Sequence, residues 1–187
     1  SNQNGYDLTG NRFSIGGLTI TPAPLTVSAN AASKTYDGAA FTGGNGVAYS
    51  GFVNSETATV LGGALSYSGT SQGATNAGHY AITPGGLTSN NYTLSFVDGA
   101  LTINPAALTA IAGNLTGSVA KTYDGSALAT STVGNYLLSG WFGADSATIT
   151  KTVGIYADQD VGSNKLVTVN LTNSDYAATG TTNLGNY

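Results

Sequence analysis

The chain has no cysteine, no methionine, one glutamate (Glu56), one histidine (His79), one tryptophan (Trp141) and only 7% charged residues among 187. Without cysteine there is no disulfide framework, thiolate metal site or cysteine nucleophile. A lone histidine excludes a multi-histidine metal site. Glu, Lys and Arg are too scarce to clothe the solvent faces of helices, whereas Thr, Ser, Gly, Asn and Val fill the semi-polar positions that strands and turns favour. Five basic residues (Arg12, Lys34, Lys121, Lys151, Lys165) stand singly in a chain of formal charge −4, so binding to nucleic acid or an anionic membrane lacks its main energetic term. No run approaches ~18 apolar residues, and the first residues are polar, so neither a transmembrane helix nor a signal peptide is expected. The missing initiator methionine points to an internal fragment. What is present, 41% hydrophobic residues with 27 Gly, describes a chain that folds rather than a disordered tail.

The chain repeats itself, and repetition decides architecture before any local reading. Lys34-Thr35-Tyr36-Asp37-Gly38 recurs as Lys121-Thr122-Tyr123-Asp124-Gly125, a spacing of 121 − 34 = 87. The eleven residues from Ser50-Gly51-Phe52-Val53 to Val60 align without gaps with Ser139-Gly140-Trp141-Phe142 to Ile149, a spacing of 139 − 50 = 89. Leu18-Thr19-Ile20-Thr21-Pro22 followed by Leu25-Thr26-Val27 matches Leu101-Thr102-Ile103-Asn104-Pro105 followed by Leu108-Thr109-Ala110, a spacing of 101 − 18 = 83. Proline cannot donate inside a ladder, so Pro22, Pro24 and Pro105 mark strand starts or junctions. That phase gives residues 1–22 as the end of a preceding copy, 23–105 as a full copy and 106–187 as a second copy without its last strand. The alternative phase starts each copy at Tyr6-Asp7-Leu8 and Tyr92-Thr93-Leu94. Either way an array extending past both ends is expected.

Within a copy the apolar period is two, the period of half-buried strands. Leu25, Val27 and Ala29 share a face, as do Tyr80 and Ile82, and Leu101 and Ile103. Ile149, Lys151, Val153 and Ile155 read as one face of a single strand, and Val167, Val169 and Leu171 as another. Gly43-Gly44-Asn45-Gly46, Gly62-Gly63, Gly85-Gly86 and Asp98-Gly99 supply the positive φ of hairpins and bulges. A short helix is allowed in each copy, where Asn54-Ser55-Glu56-Thr57 and Ala144-Asp145-Ser146 offer capping and acidic groups. The fold class expected is mostly β, as tandem small domains in an elongated rather than globular array.

Few residues invite chemistry. Asp37 and Asp124 precede glycine and read as turn formers, with Tyr36 and Tyr123 packing inwards. Lys34 and Lys121, with Glu56 or Asp145 as the assisting acid, invite an isopeptide bond, but no spacing singles out an acceptor. His79 reads as an ordinary strand residue, because no nucleophile elbow, phosphate loop or zinc-protease motif accompanies it. Asp158 and Asp160 alternate as calcium ligands would, but their loop has no further acid. Trp141, Phe142 and Tyr49 are the candidate glycan contacts, since aromatic faces stack on sugar rings; recurrence of an aromatic at Phe52 and Trp141 equally suits a fold core. No catalytic residue, cofactor or metal is expected. An open sheet edge is expected at Asn186-Tyr187, which the 6–21 segment of another molecule would complete, giving head-to-tail association.

The succession Leu25-Thr26-Val27, Lys34-Thr35-Tyr36-Asp37-Gly38, Ser50-Gly51-Phe52, Ala81-Ile82-Thr83-Pro84, Asn91-Tyr92-Thr93-Leu94 and Asp98-Gly99-Ala100-Leu101-Thr102-Ile103 resembles the MBG repeat of very large bacterial surface adhesins. The second copy resembles the related YDG repeat. The resemblance covers nearly the whole chain and implies small β-grasp-like domains strung along an extracellular stalk of filamentous-haemagglutinin-like proteins exported by two-partner secretion. Its implied role is a structural spacer in attachment or biofilm matrix, with neighbouring repeats as partners. The competing reading is a carbohydrate-binding module for exopolysaccharide or host glycans.

Overall fold

The computed structural model describes residue 17, residues 19–110 and residues 119–187. Tyr6-Asp7-Leu8, Arg12 and Leu18 lie outside the described residues.

The first copy is built on two sheets. One orders β3 (Val47–Ser50), β1 (Ala23–Ala29) and β6 (Tyr92–Val97); the other orders β2 (Ala32–Thr35), β7 (Gly99–Asn104), β5 (Gly78–Thr88) and β4 (Gly62–Ser68). β1 runs parallel to β6 and β2 parallel to β7 at one constant offset (92 − 23 = 69; 101 − 32 = 69), so residues 23–35 and 92–104 form one parallel ribbon passing from the first sheet into the second. The period-two reading holds here: Leu25, Val27, Ala29, Ile82, Leu101 and Ile103 are all buried. Gly63 and Gly86 face each other where β4 and β5 bulge, both at positive φ (77° and 81°). A Cβ on Gly63 would sit 2.1 Å from the Gly86 carbonyl oxygen, and one on Gly86 2.1 Å from that of Ala64, so only glycine lets the strands close.

The second copy consists of β8 (Thr109–Ala110) with β10 (Leu138–Ser139); β9 (Leu128–Thr130), β12 (Val153–Tyr156) and β13 (Val167–Thr168); and β11 (Ser146–Ile149) with β14 (Tyr176–Thr179). Thr26 faces Ser50 in the first copy, and Thr109 faces Ser139 in the second, the matching residues in the matching register.

Three expectations are corrected. No α-helix forms among the described residues: a 3-10 turn at Ala58–Val60 follows Glu56, and β11 follows Asp145. Both acids sit instead in a tight turn, Glu56 N donating to Val53 O (3.0 Å) and Asp145 N to Phe142 O (3.1 Å), after which the chain passes into the 3-10 turn in the first copy and into β11 in the second. Ile149, Lys151, Val153 and Ile155 do not share a strand. The chain breaks at 150–152, and the inward residue of β12 is Gly154, whose missing side chain makes room for Val167 and Val169; Val153 and Ile155 therefore point to solvent at 49% and 55% exposure. Asn186 and Tyr187 are not an open edge, because a 3-10 turn (Leu184–Asn186) seats them on the first copy.

Candidate functional site

The two Lys-Thr-Tyr-Asp-Gly turns fold alike for a local reason. Asp37 Oδ1 accepts from the Ala39 amide (2.9 Å) and Lys34 Nζ (2.6 Å), and Asp124 Oδ1 accepts from the Ser126 amide (2.9 Å) and Lys121 Nζ (2.8 Å). Each lysine reaches on to a backbone carbonyl, Ala39 or Ser126, closing the turn. Gly38 and Gly125 follow at φ 73° and 76°, the left-handed conformation that glycine adopts without cost. The lysine beside each aspartate holds its carboxyl below the usual carboxylate range, with the turn amide adding to the effect.

The tyrosines between these residues part company. Tyr36 is buried, 8% exposed, whereas Tyr123 is 59% exposed and makes no hydrogen bond or ring contact with another described residue, against the expectation that both pack inwards. The reason is a neighbour. Tyr36 lies between the copies: its hydroxyl donates to Asp145 Oδ2 at 2.9 Å, and its ring meets Phe142 and Tyr187 edge-on at 5.8 and 5.3 Å.

Its partners form a constellation that occurs twice. In the second copy the Tyr187 hydroxyl accepts from the Phe142 amide (2.9 Å) and donates to Asp145 Oδ2 (2.9 Å), while Trp141 packs edge-on against its ring at 4.8 Å. In the first copy the Tyr92 hydroxyl accepts from the Val53 amide (3.1 Å) and donates to Glu56 Oε2, with Phe52 edge-on at 5.5 Å. Burial, reinforced by Asp145, pushes the Tyr187 hydroxyl up to about 12 and raises that of Tyr36; the bond to Glu56 raises that of Tyr92.

Tyr92 and Tyr187 each follow an asparagine whose carbonyl accepts the amide of the residue after the junction proline: Ala23 N donates to Asn91 O (2.9 Å), and Ala106 N to Asn186 O (2.7 Å). Asn186 also ties the copies through its side chain, accepting from Ala77 N (2.8 Å) and donating to Asn76 Oδ1 (3.0 Å). Tyr187 thereby packs against the main core of the first copy, which holds Ala29, Tyr36, Ala74, Ile82, Leu101 and Ile103 and is joined by Ala106 of the second.

The candidate glycan contacts fall in two places. Trp141 is half-buried and Phe142 is 38% exposed, both at the junction, whereas Tyr49 is half-buried in the first copy, 5.5 Å from Phe52. Tyr49 pairs with Phe52, Trp141 with Tyr187 and Phe142 with Tyr36, and no ring contact joins Tyr49 to Trp141 or Phe142 among the described residues. Lys34 and Lys121 are engaged within their turns, and Glu56 and Asp145 with tyrosines, so no lysine meets either acid. Exposed His79 meets Thr102 across the sheet at 3.2 Å. Asp158 is taken by Lys165 and the Asp160 amide, and no group of three or more His, Asp or Glu suited to a metal occurs among the described residues. Sequence named Glu56 and Asp145 only as capping groups or as assisting acids for a lysine and did not single out their tyrosine partners Tyr92 and Tyr187, nor Asn76 and Asn186 as a contact between the copies; the signal was the Asn-Tyr pair recurring at 91–92 and 186–187.

Comparison with known proteins assigns the two parts of the chain to two family models. Residues 25–102 match the family model described as "MBG domain (YGX type)", and residues 104–187 match that described as "YDG domain". No curated protein and no solved structure matches the chain.

Proposed function

From a chain that carries an MBG domain of the YGX type followed by a YDG domain, we propose a structural spacer module of a bacterial surface adhesin, supporting attachment or biofilm matrix by holding a distal binding region away from the cell. In this reading residues 23–105 and 106–187 are two small β-grasp-like domains of an elongated extracellular array, with 1–22 the end of a preceding one. The observation that carries it is the junction. Tyr36, Asn76 and Ala77 of the first copy are bonded to Asp145 and Asn186 of the second, and Tyr187 packs on the first copy's core. A spacer needs domains that keep a fixed attitude to each other, and a linker alone does not give one. Low charge with abundant Thr, Asn and Ser leaves a surface that resists nonspecific capture.

Titration with a panel of bacterial exopolysaccharides and host glycans, followed through the fluorescence of Trp141, tests the reading against the carbohydrate-binding one. The spacer reading expects no saturable change. Saturable binding that vanishes in a folded Trp141→Ala variant would convert the array into a multivalent glycan binder.

A further inference from the structure

The contact that joins the copies is left half-made at two other places. Val53, Glu56, Asn91 and Tyr92 of the first copy correspond to Phe142, Asp145, Asn186 and Tyr187 of the second, and they are built the same way on the same backbone hooks. In the second copy that socket is filled: Tyr36 enters beside Asp145, and Asn186, 2% exposed, grips Asn76 and Ala77. In the first copy no described tyrosine enters. A cleft of about 310 Å³ opens there, lined by Ile20, Pro22, Val53, Glu56, Asn91 and Tyr92. Glu56 accepts one tyrosine hydroxyl where Asp145 accepts two, and the Asn91 side chain bonds to no described residue. Ile20 is 87% exposed, while its counterpart Ile103, on β7 between β2 and β5, is 1% exposed in the core against which Tyr187 packs. The complementary half lies on the second copy, where Tyr123 projects from a turn with the same internal bonds as that of Tyr36.

We propose that the cleft over Glu56 and Tyr92 is a socket for the Lys-Thr-Tyr-Asp-Gly turn of another repeat, and that a second copy of this chain fills it by inserting Tyr123. The chain supplies the geometry of the complex itself, since Tyr36 already sits in the equivalent place. The Tyr123 hydroxyl donates to Glu56 as that of Tyr36 does to Asp145, and its ring lies against Val53 and Tyr92. Plug and socket are different surfaces at opposite copies, so the contact is heterologous and propagates head-to-tail instead of closing into a symmetric dimer. Side-chain insertion thus replaces the open strand edge as the route to head-to-tail association. The inference stands on the junction geometry and does not depend on the spacer reading.

Because the chain is cysteine-free, a disulfide can report the contact. A Cβ placed on Gly38 lies 3.7 Å from the Phe142 Cβ, inside the span a disulfide bridges; Gly125 and Val53 are the matching positions between molecules. Gly125→Cys and Val53→Cys chains, mixed under mild oxidant, are expected to yield a cross-linked dimer of unlike chains about tenfold faster than Gly125→Cys paired with Leu166→Cys. Adding Tyr123→Ser to the Gly125→Cys chain removes an exposed ring with no described partner, so the fold stays intact, and the yield is expected to fall about tenfold. Cross-linking no faster than the Leu166 pairing, or a yield unchanged by Tyr123→Ser, overturns the proposal. Sedimentation velocity of cysteine-free protein guards against strain at position 125. Association that rises with concentration and is lost in Tyr123→Ser supports insertion; a strictly monomeric parent chain, or association indifferent to Tyr123→Ser, overturns it.

Discussion

Tyr36 and Tyr187, one from each copy, donate to the same oxygen, Asp145 Oδ2, each at 2.9 Å, with their rings 5.3 Å apart and inclined at 75°. Among the described residues the carboxylate is the acceptor both hydroxyls use, so its loss strands two donors together in a half-buried junction. Asp145→Ala is expected to lower stability by about 1–3 kcal/mol in urea unfolding, more than either Tyr36→Phe or Tyr187→Phe alone. The two tyrosine substitutions share one partner and should combine non-additively in a double-mutant cycle. Strict additivity would show that the copies unfold without regard to each other.

The same tyrosines make the junction sensitive to alkali. Their protons are held more tightly in the folded chain than in the unfolded one, where tyrosine titrates near 10. Their contribution to stability is therefore complete below pH ~10 and is lost as pH rises through about 12, the value for Tyr187. Tyrosinate absorbance and Trp141 fluorescence should change together across that window. Asp37 and Asp124 act in the opposite sense: their lowered values give stability that is present above the ordinary carboxylate range and lost as pH falls through the lowered ones. Carboxyl chemical shifts followed into acid check this, and titration at the ordinary aspartate value would refute the ion pairs.

Two glycines at nearly the same φ should respond very differently to alanine. At Gly125, φ 76°, an added methyl group would have nothing within 4 Å, so Gly125→Ala meets only left-handed strain, about 1–2 kcal/mol. Gly86, φ 81°, would drive a methyl to 2.1 Å from the Ala64 carbonyl oxygen across the bulge. Gly86→Ala is expected to cost about 3 kcal/mol or more, read from the shift in urea midpoint at constant slope.

Burial, not hydrophobicity, should rank the isoleucines. Ile82 is fully buried between the sheets, and Ile82→Ala is expected to cost about 2–5 kcal/mol. Ile155, 55% exposed on β12, should tolerate alanine within about 0.5 kcal/mol. Equal losses at both sites would restore the continuous strand that the period suggested.

How legible these features are in sequence depends on how far away their causes lie. Leu25, Val27 and Ala29, or Leu101 and Ile103, are buried by sheets whose period is local, and alternation found them. The matching registers at Thr26–Ser50 and Thr109–Ser139 follow from the repeat. Ile149 to Ile155 misled because Gly154, with no side chain to count, holds the inward place. Glu56 and Asp145 read as helix caps because their partners, Tyr92, Tyr187 and Tyr36, stand 36, 42 and 109 residues away. Tyr36 and Tyr123 have identical flanking residues and opposite exposure. No local rule can separate them, since the difference is that Tyr36 packs on Asp145, Phe142 and Tyr187, more than 100 residues along the chain.

The parallel ribbon of the first copy has a mechanical corollary. The chain enters that domain at Ala23, at one end of the ribbon, and leaves at Asn104, at the other. A pull on the two termini runs along the strands and loads the ladder between 23–35 and 92–104 in shear, so its hydrogen bonds resist together instead of opening one after another like a zip. Resistance to stretching is then set by the direction in which force enters the sheet, a property that a domain of modest equilibrium stability can possess in full.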